Sequence, residues 1–177
     1  MSLNQDNTLF FIIDIQEKLL NAVFNKEQLE KKAKTLVKSA EILNIPLFVT
    51  EQYPQGLGST VDSLKDSALV FEKLAFSALT DSILVDELKN TKKTEIVIFG
   101  IETHICVYQT AKALLQAGYS VTLVKDASGS RSEVEHQSAL DCFRQDGVNI
   151  KTTEMILFEL LKDAKHPCFK QIQALIK

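Results

Sequence analysis

Apolar residues in this chain form two kinds of pattern, short unbroken runs and longer stripes, and the two alternate along its length. Leu9-Phe10-Phe11-Ile12-Ile13 and Ile96-Val97-Ile98-Phe99 contain no polar residue, and each stops abruptly, the first at Asp14 and the second at Gly100. A short apolar run ended by a breaker predicts a strand buried on both faces, as parallel sheets require. Residues 45–50, 68–71, 120–124 and 148–150 predict four more strands, with Pro46 acceptable near the start of its own. The stripes are helical: Leu29, Ala33, Leu36, Val37, Ala40 and Leu43 share one face, with Lys31, Lys32 and Lys34 on the wet side. Further helices are predicted over residues 81–89, 134–143, 154–162 and 169–176. Another carries Cys106, Val107, Thr110, Ala111, Leu114 and Leu115 and stops at Gly118. Strands alternating with helices predict an α/β domain with a mostly parallel sheet.

No repeat, linker or low-complexity stretch interrupts this alternation, and 177 residues suit one domain spanning 1–177. A net charge of −3, with lysines scattered among acids, offers no field for counterion-driven binding, so no nucleic-acid partner is expected. No apolar run approaches a membrane span, and the first residues lack the pattern of a secretory signal; a soluble, cytoplasmic protein with no membrane partner is expected. The three cysteines, Cys106, Cys142 and Cys168, fall in no paired motif, which argues against a disulfide framework or a zinc site. Cys142 is assigned to the inward stripe of its helix beside Leu140 and Phe143, and Cys168 to an inert position near the terminus.

The chemistry sits where the strands end. In open α/β sheets ligands gather outside the carboxyl ends of the strands, and Asp14, Lys73 and Cys106 all fall at such ends, on what is expected to be an exposed rim. Each residue alone has a bland reading: Asp14 as a turn or cap residue, Cys106 as a small buried hydrophobe. Together they make a coherent set of thiol, carboxylate and ammonium. Placement of Cys106 in the first turn of a helix is expected to favour its thiolate. Gln16 is placed to hold either substrate or Lys73, and Tyr53 and Phe76 to supply an apolar wall. Residues 52–60, rich in turn formers, are expected to form a long functional loop.

Three segments, Phe10-Phe11-Ile12-Ile13-Asp14-Ile15-Gln16, Glu72-Lys73-Leu74-Ala75-Phe76-Ser77 and Gly100-Ile101-Glu102-Thr103-His104-Ile105-Cys106-Val107, occur in the order seen in isochorismatase-like cysteine hydrolases. The segment from Thr50 to Gly58 resembles the subgroup called isochorismatase domain-containing proteins. The resemblance implies a three-layer α-β-α sandwich with a Rossmann-like sheet, and hydrolysis of a small-molecule acyl compound through a thioester. It further implies Asp14 as general base, Lys73 as the triad lysine and Cys106 as nucleophile. A cis peptide before Glu102 is also implied, with the amides of Glu102 and Cys106 facing an oxyanion. Self-association into a homo-oligomer is common in the family.

Two departures narrow the reading. Nicotinamidases of this family hold a metal through an aspartate and histidines after the second strand, whereas this chain has Glu51-Gln52-Tyr53-Pro54, so no metal and no other cofactor is expected. Isochorismatases proper cleave a vinyl ether and lack the cysteine, so Cys106 argues against that reaction. The leading expectation is a metal-independent cysteine hydrolase of a small amide or related acyl compound. The alternative is a silent binding protein that keeps the fold. A nucleotide-binding module is disfavoured because no G-x-G-x-x-G or Walker pattern follows a strand.

Overall fold

A computed structural model of the chain describes residues 3–177. Six strands, β1 (Thr8–Ile13), β2 (Leu47–Gln52), β3 (Leu69–Lys73), β4 (Glu95–Gly100), β5 (Ser120–Val124) and β6 (Asn149–Lys151), form one sheet in the order β3-β2-β1-β4-β5-β6. Every pairing is parallel. The helices are α1 (Glu17–Leu20), α2 (Lys26–Ile42), α3 (Pro54–Leu57), α4 (Ser82–Asn90), α5 (Tyr108–Gln116), α6 (Glu133–Gln145), α7 (Thr153–Leu161) and α8 (Phe169–Ile176). The chain starts in the middle of the sheet, winds outward through β2 and β3, then returns to β4 on the other side of β1. Strand order therefore reverses between β1 and β4, the place where such sheets leave a crevice.

Alternation along the central strands divides the core in two. Phe10, Ile12, Val97 and Phe99 face α2, α7 and α8 through Leu36, Leu157 and Ile172. Leu9, Phe11, Ile13, Ile96 and Ile98 face α4, α5 and α6 through Leu88, Leu114 and Phe143. Because both faces are covered, β1 and β4 contain only buried residues, which is why their sequences lack the polar alternation of a half-wet strand. Aromatic edge contacts, Phe10 on Phe99 at 6.3 Å and Phe11 on Phe48 at 6.1 Å, lock neighbouring strands together. The result is the three-layer α/β architecture. Among the described residues no helix is long and apolar enough to cross a membrane.

Four expectations change. Strand β3 runs on to Lys73 because Glu72 and Lys73 pair with Glu51 and Gln52, so the lysine is the last residue of the strand rather than a residue beyond it. Residues 52–60 are not irregular throughout: Pro54, at the first helical position, starts the single turn of α3. Cys106 does not sit in the first turn of α5, because a π-helical turn over Thr103–Val107 comes between β4 and that helix. Finally, Cys142 is exposed. The buried stripe of α6 is His136, Ala139, Leu140 and Phe143, an i, i+3, i+4, i+7 series that leaves position 142 on the solvent side.

Gly100 joins the two central strands at closest approach. It pairs with Ile13 in the ladder at a φ of 138°, and a Cβ there would lie 2.0 Å from the Ile13 carbonyl oxygen. Gly100→Ala is expected to cost about 3 kcal/mol or more in unfolding free energy, through backbone strain and a backbone clash together. Gly118→Ala, at a φ of 91° with open space around it, carries only the torsional part, about 1 kcal/mol. Urea denaturation of both variants checks this; equal losses would show that contact with Ile13 is not what requires glycine at position 100.

Candidate active site

An ammonium and a carboxylate meet beneath the carboxyl ends of the sheet. Asp14 directly follows β1 and adopts a left-handed φ of 50°, a conformation aspartate tolerates better than most residues. Its N–H donates to the Thr50 carbonyl at 3.1 Å, and its carboxylate accepts from Thr50 Oγ1 at 2.7 Å and from Lys73 Nζ at 2.7 Å. Lys73 Nζ also donates to Gln52 Oε1 at 2.6 Å and to the Ala75 carbonyl at 3.3 Å, so its three protons all have acceptors. Both side chains are buried. The expected exposed rim is thus replaced by an interior ion pair, whose desolvation cost is offset by this full set of hydrogen bonds.

The turn carrying Cys106 is held from several directions. Beyond Gly100 the Ile101–Glu102 peptide is cis. The Ile101 N–H donates to the Ile13 carbonyl at 2.8 Å and the Thr103 N–H to the Gly129 carbonyl at 2.9 Å, which ties the turn to β1 and to the segment after β5. The Glu102 carbonyl accepts from the N–H groups of Ile105 and Val107 at 3.0 and 3.2 Å, closing the π-helical turn, while its carboxylate pairs with Arg131 Nε at 2.9 Å. Thr103 Oγ1 and His136 Nδ1 share a hydrogen bond of 3.0 Å, and His104 Nδ1 shares one of 2.9 Å with Ser130 Oγ. Burial holds the His136 imidazole below its usual pKa, in the neutral form.

Only 6% of Cys106 is exposed. Asp14 and Lys73 both act electrostatically on its thiol. Burial pushes the thiol pKa up to about 12; the Asp14 charge pushes the same way, and the Lys73 charge opposes them. The expectation of a favoured thiolate is therefore reversed. Desolvation and a neighbouring carboxylate outweigh the ammonium, and the cysteine rests as a neutral thiol.

Asp14, Lys73 and Cys106 thus come together, whereas the three residues expected to hold substrate separate. Gln16 is fully buried, and its side chain is committed to the backbone: Nε2 donates to the carbonyls of Gln52 and Gly58 at 3.0 and 2.6 Å, and Oε1 accepts from the Gln52 N–H at 2.7 Å. It holds the loop rather than Lys73, and the glutamine that does reach the ammonium is Gln52. Tyr53, 49% exposed, lines a cavity of about 460 Å³ together with Glu72, Lys73, Leu74 and Asp81. Phe76, 52% exposed, is not part of that wall. Gln52 could have been found only by knowing the register that sets it opposite Lys73. Thr50 and His136 carry no sequence signal that separates them from ordinary core residues.

The stretch that bears metal ligands in nicotinamidases is occupied otherwise. Glu51 accepts from the Thr60 N–H at 2.7 Å, and Gln52 holds Lys73. Among the described residues no group of three or more His, Cys, Asp or Glu side chains is disposed to hold a metal ion. The residues present do not fit that centre.

Comparison with known proteins agrees with this architecture. The isochorismatase domain model matches residues 8–155. Isochorismatase family protein 1A of Dictyostelium discoideum is 39% identical over 178 residues, covering 97% of this chain and 86% of that protein. Isochorismatase domain-containing protein 1 of Salmo salar is 39% identical over 96% of this chain, which spans only 61% of that longer relative. Among solved structures, one described as the MAR1 ribonuclease of Caenorhabditis elegans superposes with a TM-score of 0.94 at 36% identity, covering 99% of this chain and 92% of that one. With a domain match over most of its length and close relatives that share nearly all of it, the chain belongs to the isochorismatase family.

Proposed function

We propose that the protein is a metal-independent cysteine hydrolase that cleaves a small amide or related acyl compound. The observation that carries this reading is the buried Asp14–Lys73 pair, 2.7 Å apart, with both of its charges acting on the thiol of Cys106. In the proposed reaction Asp14 takes the thiol proton as sulfur attacks the acyl carbon, so charge develops only during the step that needs it. The amide N–H groups of Glu102 and Cys106 are the proposed donors to the oxyanion. Collapse of the adduct returns the proton to the leaving amine and leaves a thioester. Water, deprotonated by Asp14, then releases the carboxylic acid and restores the thiol. Lys73 holds Asp14 in place and balances charge throughout.

A second reading comes from the ribonuclease description of the Caenorhabditis elegans structure. Against it stand the net charge of −3 and the absence of a basic block that could track phosphates. A silent binding protein is the other alternative; the paired groups around Cys106 favour turnover. The apolar residues exposed along β3 and just after it support self-association, which light scattering measures directly.

Incubation with a panel of small amides and esters, followed by intact-mass and peptide analysis, tests the reading. An acyl adduct confined to Cys106 is expected, and Cys106→Ala should reduce turnover by about 1,000-fold or more. Hydrolysis that survives Cys106→Ala would rule out the covalent route.

The resting thiol supplies a pH test. Because its pKa is raised to about 12, alkylation of Cys106 by iodoacetamide should keep accelerating up to pH 10 without a plateau. Lys73→Met should shift that profile to still higher pH, by removing the positive charge, and Asp14→Asn should shift it lower, by removing the negative one. Shifts in the same direction for both variants would contradict the assigned electrostatics.

The buried ion pair makes a related prediction. Removing either partner leaves an uncompensated interior charge, so Asp14→Asn and Lys73→Met should each cost about 3–5 kcal/mol of stability. The double variant, with no buried charge, should be more stable than the worse single variant, while its turnover falls no further than the worse single's. Thermal melts and kinetics on the three proteins check both statements; additive losses would show that the two groups do not act as a unit.

A further inference from the structure

The cavity beside the triad has a definite electrostatic character. Its wall includes two carboxylates, Glu72 and Asp81, and one cation, Lys73. Lys73 has no charge to spare, because Asp14 faces its ammonium at 2.7 Å and Gln52 and Ala75 take its remaining protons. Asp81 caps α4, accepting from the N–H groups of Ile83 and Leu84 at 2.8 and 3.0 Å, so the positive helix end partly offsets it. Glu72 has no such partner among the described ion pairs, and its side chain stands exposed at the sheet edge. A further cation close to the cavity lies outside its wall and is already engaged: Lys18 donates to the Gly56 carbonyl at 2.7 Å.

An aromatic face completes the cavity. The Tyr53 ring packs over Gly56 so closely that a Cβ at that position would lie 2.2 Å from the ring. A held ring and a carboxylate without an ion-pair partner among the described residues, lining one cavity, suit a cation or a neutral planar group. Lys73 links the cavity to the triad: it forms part of the cavity wall, pairs with Asp14 at 2.7 Å and acts on the Cys106 thiol.

We propose that this cavity selects neutral or cationic acyl compounds, with an ammonium or similar group seated against Tyr53 and Glu72, and rejects substrates bearing carboxylate or phosphate. This rests on the hydrolase reading for its meaning as substrate selection, but its physical content is the field inside a cavity that shares Lys73 with the triad. An anion entering the cavity finds two carboxylates and no free cation. A cation finds an acceptor and an aromatic face.

The test uses two methanethiosulfonates of similar size and opposite charge, one carrying ethyltrimethylammonium and one ethylsulfonate. Each transfers its alkylthio group to a thiolate as methanesulfinate leaves, forming a mixed disulfide, so no turnover is needed. Rates at Cys106, followed by peptide mass analysis, are divided by the rates of the same reagents with a free model thiol. The cationic reagent should be favoured roughly 5- to 20-fold at low salt, with the preference shrinking at high ionic strength. Glu72→Gln should reduce the preference severalfold, and adding Asp81→Asn, which keeps a helix-capping residue, should bring it closer to unity. An equal or faster anionic reagent, or a preference untouched by both substitutions, would overturn the proposal. So would modification of exposed Cys142 by both reagents with none at Cys106, because the cavity would then not lead to the thiol. Failure of the hydrolase reading looks different: charge-selective labelling of Cys106, with no amide or ester forming an acyl adduct.

Discussion

Burying Lys73 next to Asp14 is the constraint from which the local structure follows. An interior ammonium and carboxylate are costly to desolvate, and the arrangement holds only if each proton and lone pair finds a partner. Those partners are distributed across the sheet: Asp14 after β1, Thr50 and Gln52 on β2, Lys73 and the Ala75 carbonyl at and beyond the end of β3. Satisfying one charge therefore fixes the relative register of three strand ends. Gln16 extends the same logic outward, securing Gln52 and Gly58 so that the acceptor for Lys73 cannot drift.

The thiol is placed with comparable economy on the other side of the strand-order reversal. Its turn is anchored to β1, to the Gly129 carbonyl and to α6 by groups that have no part in the proposed chemistry. A cysteine with a pKa near 12 is a poor nucleophile by itself. Beside a carboxylate it need not be ionised in advance, and a resting neutral thiol is spared the adventitious oxidation that a permanent thiolate invites.

How much of this could be read from the sequence depended on whether the signal was local. Strands β1 and β4 announced themselves because burial on both faces removes every polar residue from the run, and Asp14 and Gly100 marked their ends. The proposed triad was legible because strand ends are where parallel sheets gather ligands. What failed was everything set by register or by rotation about a helix. Gln16 and Gln52 are alike in sequence, and only the pairing of β2 with β3 decides which reaches Lys73. Cys142 adjoins two core residues in sequence yet points outward, because the stripe is fixed by His136 and Ala139 as well as by Leu140 and Phe143. The depth of the charged pair was hidden too, since a lysine ending a strand reads as a solvent-seeking residue until its acceptors are placed.

The two charges of the buried pair belong to very different parts of the sheet. Asp14 follows the central strand, packed on both faces, while Lys73 ends an edge strand that pairs only with β2 and leaves Leu69 51% exposed. Edge strands with few buried contacts open at lower free energy than the core they flank. Fraying of β3 would carry the ammonium away while the carboxylate, the thiol and most of the hydrophobic interior stayed in place. A population of such molecules would look folded to any probe of the whole chain and yet lack a complete site. If the proposed triad is the working site, the competent fraction is governed by the protection of one short strand, and a ligand or neighbouring surface that covered that edge would raise it without touching Asp14 or Cys106.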